Sequence, residues 1–268
     1  MTIKIVLGGP RGNMGKEAIT MIEEESQFSL VGFLVRSLED TDAIHEIRSL
    51  TNDKINIYDN ATQCFQSENP DVYIDLTVAN AAYKHSKEAL NQQIRVVIGT
   101  SGLSTQQVDE LSAIADVHQT GCIIAPNFAL GSILMMLFSQ MAAKYFPDVE
   151  VIEKHHDGKI DAPSGTAVKT VEMMKETREK KRQGHPNEHE VLTGARGADY
   201  DGMKIHSMRL PGLIAHQEVV FGSKSQLLSI KHDAFDRKAY MEGLHFTVLE
   251  VMKLKELIYG LEHLIELD

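Results

Sequence analysis

The chain has 268 residues, 43% hydrophobic and 24% charged, an ordinary globular mix that excludes a disordered, collagen-like or low-complexity protein and is long enough for two domains. Its net charge of −11 argues against sequence-independent nucleic-acid binding, which needs a basic surface, and leaves room only for a local basic site for a small anion. Two cysteines, Cys64 and Cys122, are too few for a disulfide framework and read as small buried hydrophobes. No run approaches the roughly 18 apolar residues of a membrane span. The N-terminus enters a strand-like run without an apolar leader or small-residue cleavage site, so a cytoplasmic protein with no membrane partner is expected.

In chain order, residues 3–8, 30–35, 72–77, 94–98 and 121–125 are short runs rich in Val and Ile, the pattern of buried parallel strands. Helices are predicted between them over 14–25, 80–92 and 104–118. Strand and helix alternating in this way predict an α/β fold, a Rossmann-type doubly wound parallel sheet. The pattern changes near residue 127. A helix over 131–146 carries Ile133, Leu134, Leu137, Phe138 and Met141 at helical spacing. A strand at 149–154 and a helix at 165–182 follow. The polar stretch 183–202, with four Gly and one Pro, reads as a long mobile loop. Strands at 203–210, 215–222 and 226–232 complete an α+β region with a mixed or antiparallel sheet. Residues 236–263 have helical periodicity and are expected to pack back on the first domain. The predicted division is 1–127 with 236–268 as a dinucleotide-binding domain, and 128–235 as a substrate domain.

Gly9, Pro10, Arg11, Gly12, Asn13, Met14 and Gly15 lie between the first strand and the first helix. The spacing is G-x-x-G-x-x-G. Glycine permits a tight turn and close approach of backbone to a pyrophosphate, and the helix N-terminus supplies unpaired N–H groups. A dinucleotide is therefore expected here. Such sites usually place an acid at the end of the second strand, on the ribose 2′-hydroxyl. Here that position reads Val35-Arg36. The missing acid and the presence of Arg36 favour NADPH over NADH, and Arg11 is a second candidate for the phosphate. The strand ends at 75–78, at Gly99, Thr100, Ser101 and Gly102, and at Ala125, Pro126, Asn127 and Phe128 are small or polar, as the carboxyl ends of strands around a ligand tend to be.

Residues 150–167, EVIEKHHDGKIDAPSGTA, form the densest chemical segment. His155 and His156 end a strand, Lys159 follows, and Ser164 is the predicted N-cap of a helix whose first N–H groups, at Gly165 and Thr166, make an anion site. An imidazole beside a cationic pocket points to proton transfer on a carboxylate-bearing substrate. Adjacent residues of a strand face opposite ways, so the two histidines do not share a metal. His185 and His189 lie in HPNEH, whose proline and neighbouring glycine argue for a loop, and no metal site is expected.

This segment resembles the signature of the dihydrodipicolinate reductase family, E-[IV]-x-E-x-H-x3-K-x-D-x-P-S-G-T-A, which Glu150, Val151, Glu153, His155, Lys159, Asp161, Pro163, Ser164, Gly165, Thr166 and Ala167 fill without a gap. The glycine loop, the turn at 99–102, the run at 125–128 and the closing segment extend the resemblance over the chain. It implies that His155 is a proton donor and acceptor, Lys159 a proton donor, and His156 a substrate contact. Gly165 and Thr166, in the turn capped by Ser164, would hold a substrate carboxylate. Gly9 to Met14, Gly99 to Ser101 and Ala125 to Phe128 would line an NADPH or NADH cofactor. The implied reaction reduces 4-hydroxy-tetrahydrodipicolinate, in diaminopimelate and lysine biosynthesis, and the implied assembly is a homotetramer built on the second domain's sheet. At Val35-Arg36, where many members carry an acid for the adenosine ribose, the chain departs from the family. The competing readings are a related reductase of another dicarboxylic or aldehyde substrate, and a sensor that binds cofactor without turnover.

Overall fold

The computed structural model describes residues 2–51 and 54–266. Met1, Asn52, Asp53, Leu267 and Asp268, all within the predicted first domain, lie outside the described residues.

The chain opens with β1 (Ile3–Gly8), α1 (Asn13–Glu24), β2 (Phe28–Leu34), α2 (Thr41–Arg48), β3 (Asn56–Tyr58), α3 (Ala61–Glu68), β4 (Val72–Asp75), α4 (Ala79–Asn91), β5 (Arg95–Ile98), α5 (Thr105–His118) and β6 (Cys122–Ile124). It continues through α6 (Leu130–Ala143), β7 (Asp148–His155), α7 (Gly165–Thr177), β8 (Ala198–Tyr200), β9 (Met203–Arg209), β10 (Ala215–Ser223) and β11 (Gln226–Ala234). A 3-10 turn at Arg237–Tyr240, α8 (Met241–Val251), β12 (Leu257–Tyr259) and a second 3-10 turn at Leu261–His263 close it. Two compact units result, one of residues 1–128 with 240–268 and one of residues 129–239.

The first unit is a seven-stranded sheet in the order β12-β6-β5-β4-β1-β2-β3, with every pairing parallel. Both faces are covered, so the strands read as unbroken apolar runs: Ile5, Val6, Leu7, Val72, Ile74, Val96, Val97 and Ile98 are fully buried. Cys64 and Cys122 are free and buried, and burial pushes each thiol up to about 12, far from reactivity at neutral pH. Four elements of this unit escape the sequence reading: α2, β3, α3 and β12, of 8, 3, 8 and 3 residues. Each is too short to show a period, yet the caps are ordinary. Asp40 accepts from Ala43 N at 3.0 Å to begin α2, and Asn60 accepts from Gln63 N at 2.9 Å to begin α3.

The second unit is a five-stranded mixed sheet in the order β11-β10-β7-β9-β8, antiparallel except between β7 and β9. Along β7, Val149, Val151 and Glu153 are buried in alternation, the period of a half-covered strand, with α6 and α7 packed against the sheet. Helix α7 stops at Thr177 rather than 182. Arg178 turns extended and its guanidinium donates to the carbonyls of Pro147, Asp201 and Lys181, which hold the chain in a new direction. The polar stretch 183–202 contains the short strand β8 and is tied to β7 by Arg196, 2.8 Å from Glu150. The closing segment is not one helix: α8 gives way to β12, which pairs in parallel with β6 at the edge of the first sheet, and a 3-10 turn follows.

Candidate active site

In the first unit, β1 has β2 on one side and β4 on the other, so the winding reverses beside its carboxyl end, where ligands of such sheets bind. Gly9 follows at φ +81, and a Cβ there would collide with the Leu76 carbonyl. Gly15, in the first turn of α1, is pressed against the Gly9 carbonyl in the same way. Gly12 is the N-cap of α1 and no side chain caps the helix, so the first-turn N–H groups have no side-chain acceptor. These features make a glycine cradle of the kind a pyrophosphate requires.

The neighbouring strand ends are fastened together by Asp75, fully buried at the end of β4. It accepts from the Tyr73 hydroxyl at 2.5 Å, from Thr77 N at 3.0 Å, from Thr77 Oγ1 at 2.8 Å and from Thr100 Oγ1 at 2.7 Å. Thr100 Oγ1 in turn accepts from Thr77 N at 2.9 Å. Gly99 packs against the Phe128 ring, where a Cβ would stand 2.6 Å from the ring edge. Ala125 pairs with Ile98 through its backbone, while Pro126 and Ser101 are exposed. Arg11 is engaged within the protein, 2.8 Å from Glu46 and 3.7 Å from Asp40. Arg36 is exposed just past β2 and makes no ion pair among the described residues.

In the second unit the imidazole of His155 stands at the end of β7. Its Nδ1 lies 2.6 Å from Oε2 of Glu153. Glu153 is fully buried and also accepts from both Nη atoms of Arg209 at 2.8 Å and from Ser164 N at 3.2 Å. Burial alone would raise the Glu153 carboxyl, but hydrogen bonds from Arg209, Ser207 and His155 outweigh it and hold the group below the usual carboxylate range. For His155, burial lowers the imidazole below its ordinary value. Glu153 lifts it back only in part, against Lys159 and Arg209, so the ring is neutral at neutral pH.

Lys159 Nζ, largely covered, lies 2.7 Å from Asp161 Oδ1, and that bond to the ammonium holds Asp161 below its ordinary value. Ser164 caps α7 as the sequence predicts, accepting from Ala167 N at 3.2 Å. Gly165 and Thr166 open the helix, and the space a Cβ on Gly165 would fill is open. His156 lies past the strand end and is exposed.

Sequence reasoning assigns no role to Glu153, Arg209 and Asp75. Glu153 precedes His155 by two residues on a strand, which places both on one face, and that spacing is a readable signal. Arg209 lies 56 residues from Glu153 and gives none.

A glycine cradle at the reversal point of a parallel sheet has the chemistry to take a dinucleotide, and a neutral imidazole beside a lysine and a capped helix start has the chemistry for proton transfer on an acidic substrate. The class so defined is a pyridine-nucleotide-dependent oxidoreductase. Family models described as dihydrodipicolinate reductase, N-terminus, and dihydrodipicolinate reductase, C-terminus, match residues 3–128 and 131–265. A 4-hydroxy-tetrahydrodipicolinate reductase of Oceanobacillus iheyensis is 52% identical over 99% of this chain and 100% of its own length. One from Bacillus licheniformis is 51% identical over 99% and 98%. A dihydrodipicolinate reductase of Paenisporosarcina sp. TG-14, solved with dipicolinate bound, is 45% identical and superposes with a TM-score of 0.91 over 99% of this chain and 100% of that one. The chain belongs to the dihydrodipicolinate reductase family.

Proposed function

We propose that the chain reduces 4-hydroxy-tetrahydrodipicolinate, through dihydrodipicolinate, to tetrahydrodipicolinate, a step in diaminopimelate and lysine biosynthesis. The observation that carries this reading is the group of side chains in the second unit. His155 is neutral and held by Glu153, Lys159 is a nearby cation, and Ser164, Gly165 and Thr166 form an open helix start. The substrate brings an acidic ring carbon beside its imine, a hydroxyl and a carboxylate, which suit the base, the ammonium and the helix start in turn.

His155 Nε2 takes a proton from the ring carbon between the imine carbon and the hydroxyl-bearing carbon. Lys159 protonates the departing hydroxyl, which leaves as water. Once the ring has been reduced, His155 returns its proton to the same carbon and the imine is restored. The N–H groups of Gly165 and Thr166 hold a carboxylate, with His156 as a further substrate contact.

The cradle residues fit a nicotinamide dinucleotide: glycines where a Cβ would collide, and helix N–H groups without a side-chain cap. Gly9 to Met14, Gly99 to Ser101 and Ala125 to Phe128 would hold it, and when bound it supplies the hydride. Arg36, exposed and making no ion pair among the described residues, favours NADPH, because a guanidinium suits a 2′-phosphate and neither Val35 nor Arg36 supplies the acid that would repel one. Arg11 is a weaker candidate, being shared with Glu46. The first unit is the cofactor domain and the second the substrate and assembly domain of a cytoplasmic homotetramer. The apolar residues Leu227 and Leu228 exposed on the edge strand β11 support assembly through that sheet.

Dipicolinate, the ligand in the Paenisporosarcina structure, provides the test. Lys159→Ala is expected to weaken its binding by about 10-fold or more in calorimetry, the scale of a lost charge-assisted bond. Unchanged affinity would remove Lys159 from the substrate site.

A further inference from the structure

Glu153 and His155 leave the same face of β7, two residues apart. The carboxylate is held at both oxygens: Oε1 accepts from Arg209 Nη2 at 2.8 Å and Ser164 N at 3.2 Å, Oε2 from Arg209 Nη1 at 2.8 Å and His155 Nδ1 at 2.6 Å. A carboxylate gripped by both arms of a guanidinium is ionised, and an ionised carboxylate can only accept. The ring nitrogen 2.6 Å away must therefore carry a proton.

We propose that Glu153 and Arg209 are positioning residues that lock His155 in the Nδ1–H tautomer and leave its Nε2 bare as the base that meets substrate. The inference rests on the assignment of His155 above and deepens it. The isolated imidazole slightly prefers the other tautomer, with the proton on Nε2, which would present a donor where the reaction needs an acceptor.

The same carboxylate sets where the base stands relative to the anion site. Its Oε1 anchors the backbone of Ser164, the residue that caps α7, and Arg209 Nη2 also holds the Asp161 carbonyl at 2.7 Å. One buried ion pair thus fixes the imidazole on β7 and the turn leading to Gly165 and Thr166 together. An ion pair whose carboxylate is fully buried is a poor device for stability alone, since apolar residues of similar volume commonly serve as well. Its use here is geometric.

Three charged groups face the imidazole: Glu153 on β7, Lys159 from the loop beyond it, and Arg209 on β9. β10 sets Ala215, which does not titrate, opposite His155. Of the three, only Glu153 favours the protonated ring.

The test reads the tautomer directly, without turnover. In full-length protein labelled with 15N-histidine, His155 is identified by the signals lost in His155→Asn. At neutral pH its Nδ1 is expected at the protonated, pyrrole-type position and its Nε2 at the bare, pyridine-type position. The reverse pattern, or an even mixture, overturns the proposal whether or not the protein reduces the expected substrate.

Glu153→Gln keeps an acceptor for Nδ1–H and removes the charge. Its kcat is expected to fall by about 10-fold or more, within the ceiling of about 10⁴-fold seen when a catalytic imidazole loses its orienting carboxylate. KM should stay within about 3-fold. The acid limb of the kcat profile should move to lower pH, because the group that lifted the imidazole is gone. A folded variant with the native kcat and the native acid limb would overturn the role of Glu153. If the variant does not fold, the tautomer of the native protein decides.

Discussion

His155 carries the proton chemistry of the proposed site, and its environment explains why it is suited to a base. Burial disfavours the imidazolium, and Glu153 compensates only in part, so the ring keeps a free nitrogen at neutral pH. His155→Ala is expected to lower kcat by roughly 10²-fold or more, the ordinary loss for general acid–base help, with a smaller change in KM. Steady-state kinetics checks this, and a variant with near-native kcat would take His155 out of the mechanism. His156 has no comparable setting. It is exposed past the strand end and, among the described residues, no buried carboxylate holds its ring, which is the basis for proposing different duties for the adjacent histidines.

At the scale of elements, the glycine turn between β1 and α1 has a geometry that tolerates little change. Gly9 combines a positive φ with contact against the Leu76 carbonyl, so any side chain there is strained twice. Placing an L-residue in that conformation costs about 1–2 kcal/mol before the collision is counted. Gly9→Ala is therefore expected to weaken nicotinamide cofactor binding by at least about 10-fold, measured by fluorescence titration, while substrate-analogue binding at the second unit holds. Equal cofactor affinity would mean that the turn is not the cradle.

Much of this scale is readable in the chain itself. The strands β1, β2, β4, β5 and β6 are apolar runs because both faces of their sheet are covered, and Ser164 announces α7 by its own chemistry. The unread parts have physical reasons. Helices α2 and α3 and strand β3 are shorter than the windows in which a period shows. Strand β12 hides in a segment whose apolar residues also satisfy a helix, and only pairing with β6 decides between the two. At the site, the paired histidines and the lysine advertise themselves, whereas Arg209 reaches Glu153 only because β9 lies beside β7.

For the whole molecule, the proposed reading divides the labour between the two units: the parallel sheet takes the dinucleotide and the mixed sheet carries the proton-transfer groups. β11 lies at the edge of the mixed sheet, and its Leu227 is 76% exposed, an arrangement that a protein working alone usually blunts with charge. Light scattering is expected to report a tetramer for the native chain and a smaller species for Leu227→Asp. A native monomer would contradict assembly through this sheet.

The central claim is the reaction itself. The direct measurement follows absorbance at 340 nm with enzymatically generated 4-hydroxy-tetrahydrodipicolinate, with NADH and NADPH in parallel. The account predicts rapid oxidation that depends on this substrate, with an NADPH/NADH ratio of kcat/KM well above one as Arg36 requires. A ratio near or below one would mean that Arg36 does not read the 2′-phosphate. No oxidation of either cofactor by folded protein and verified substrate would contradict the account.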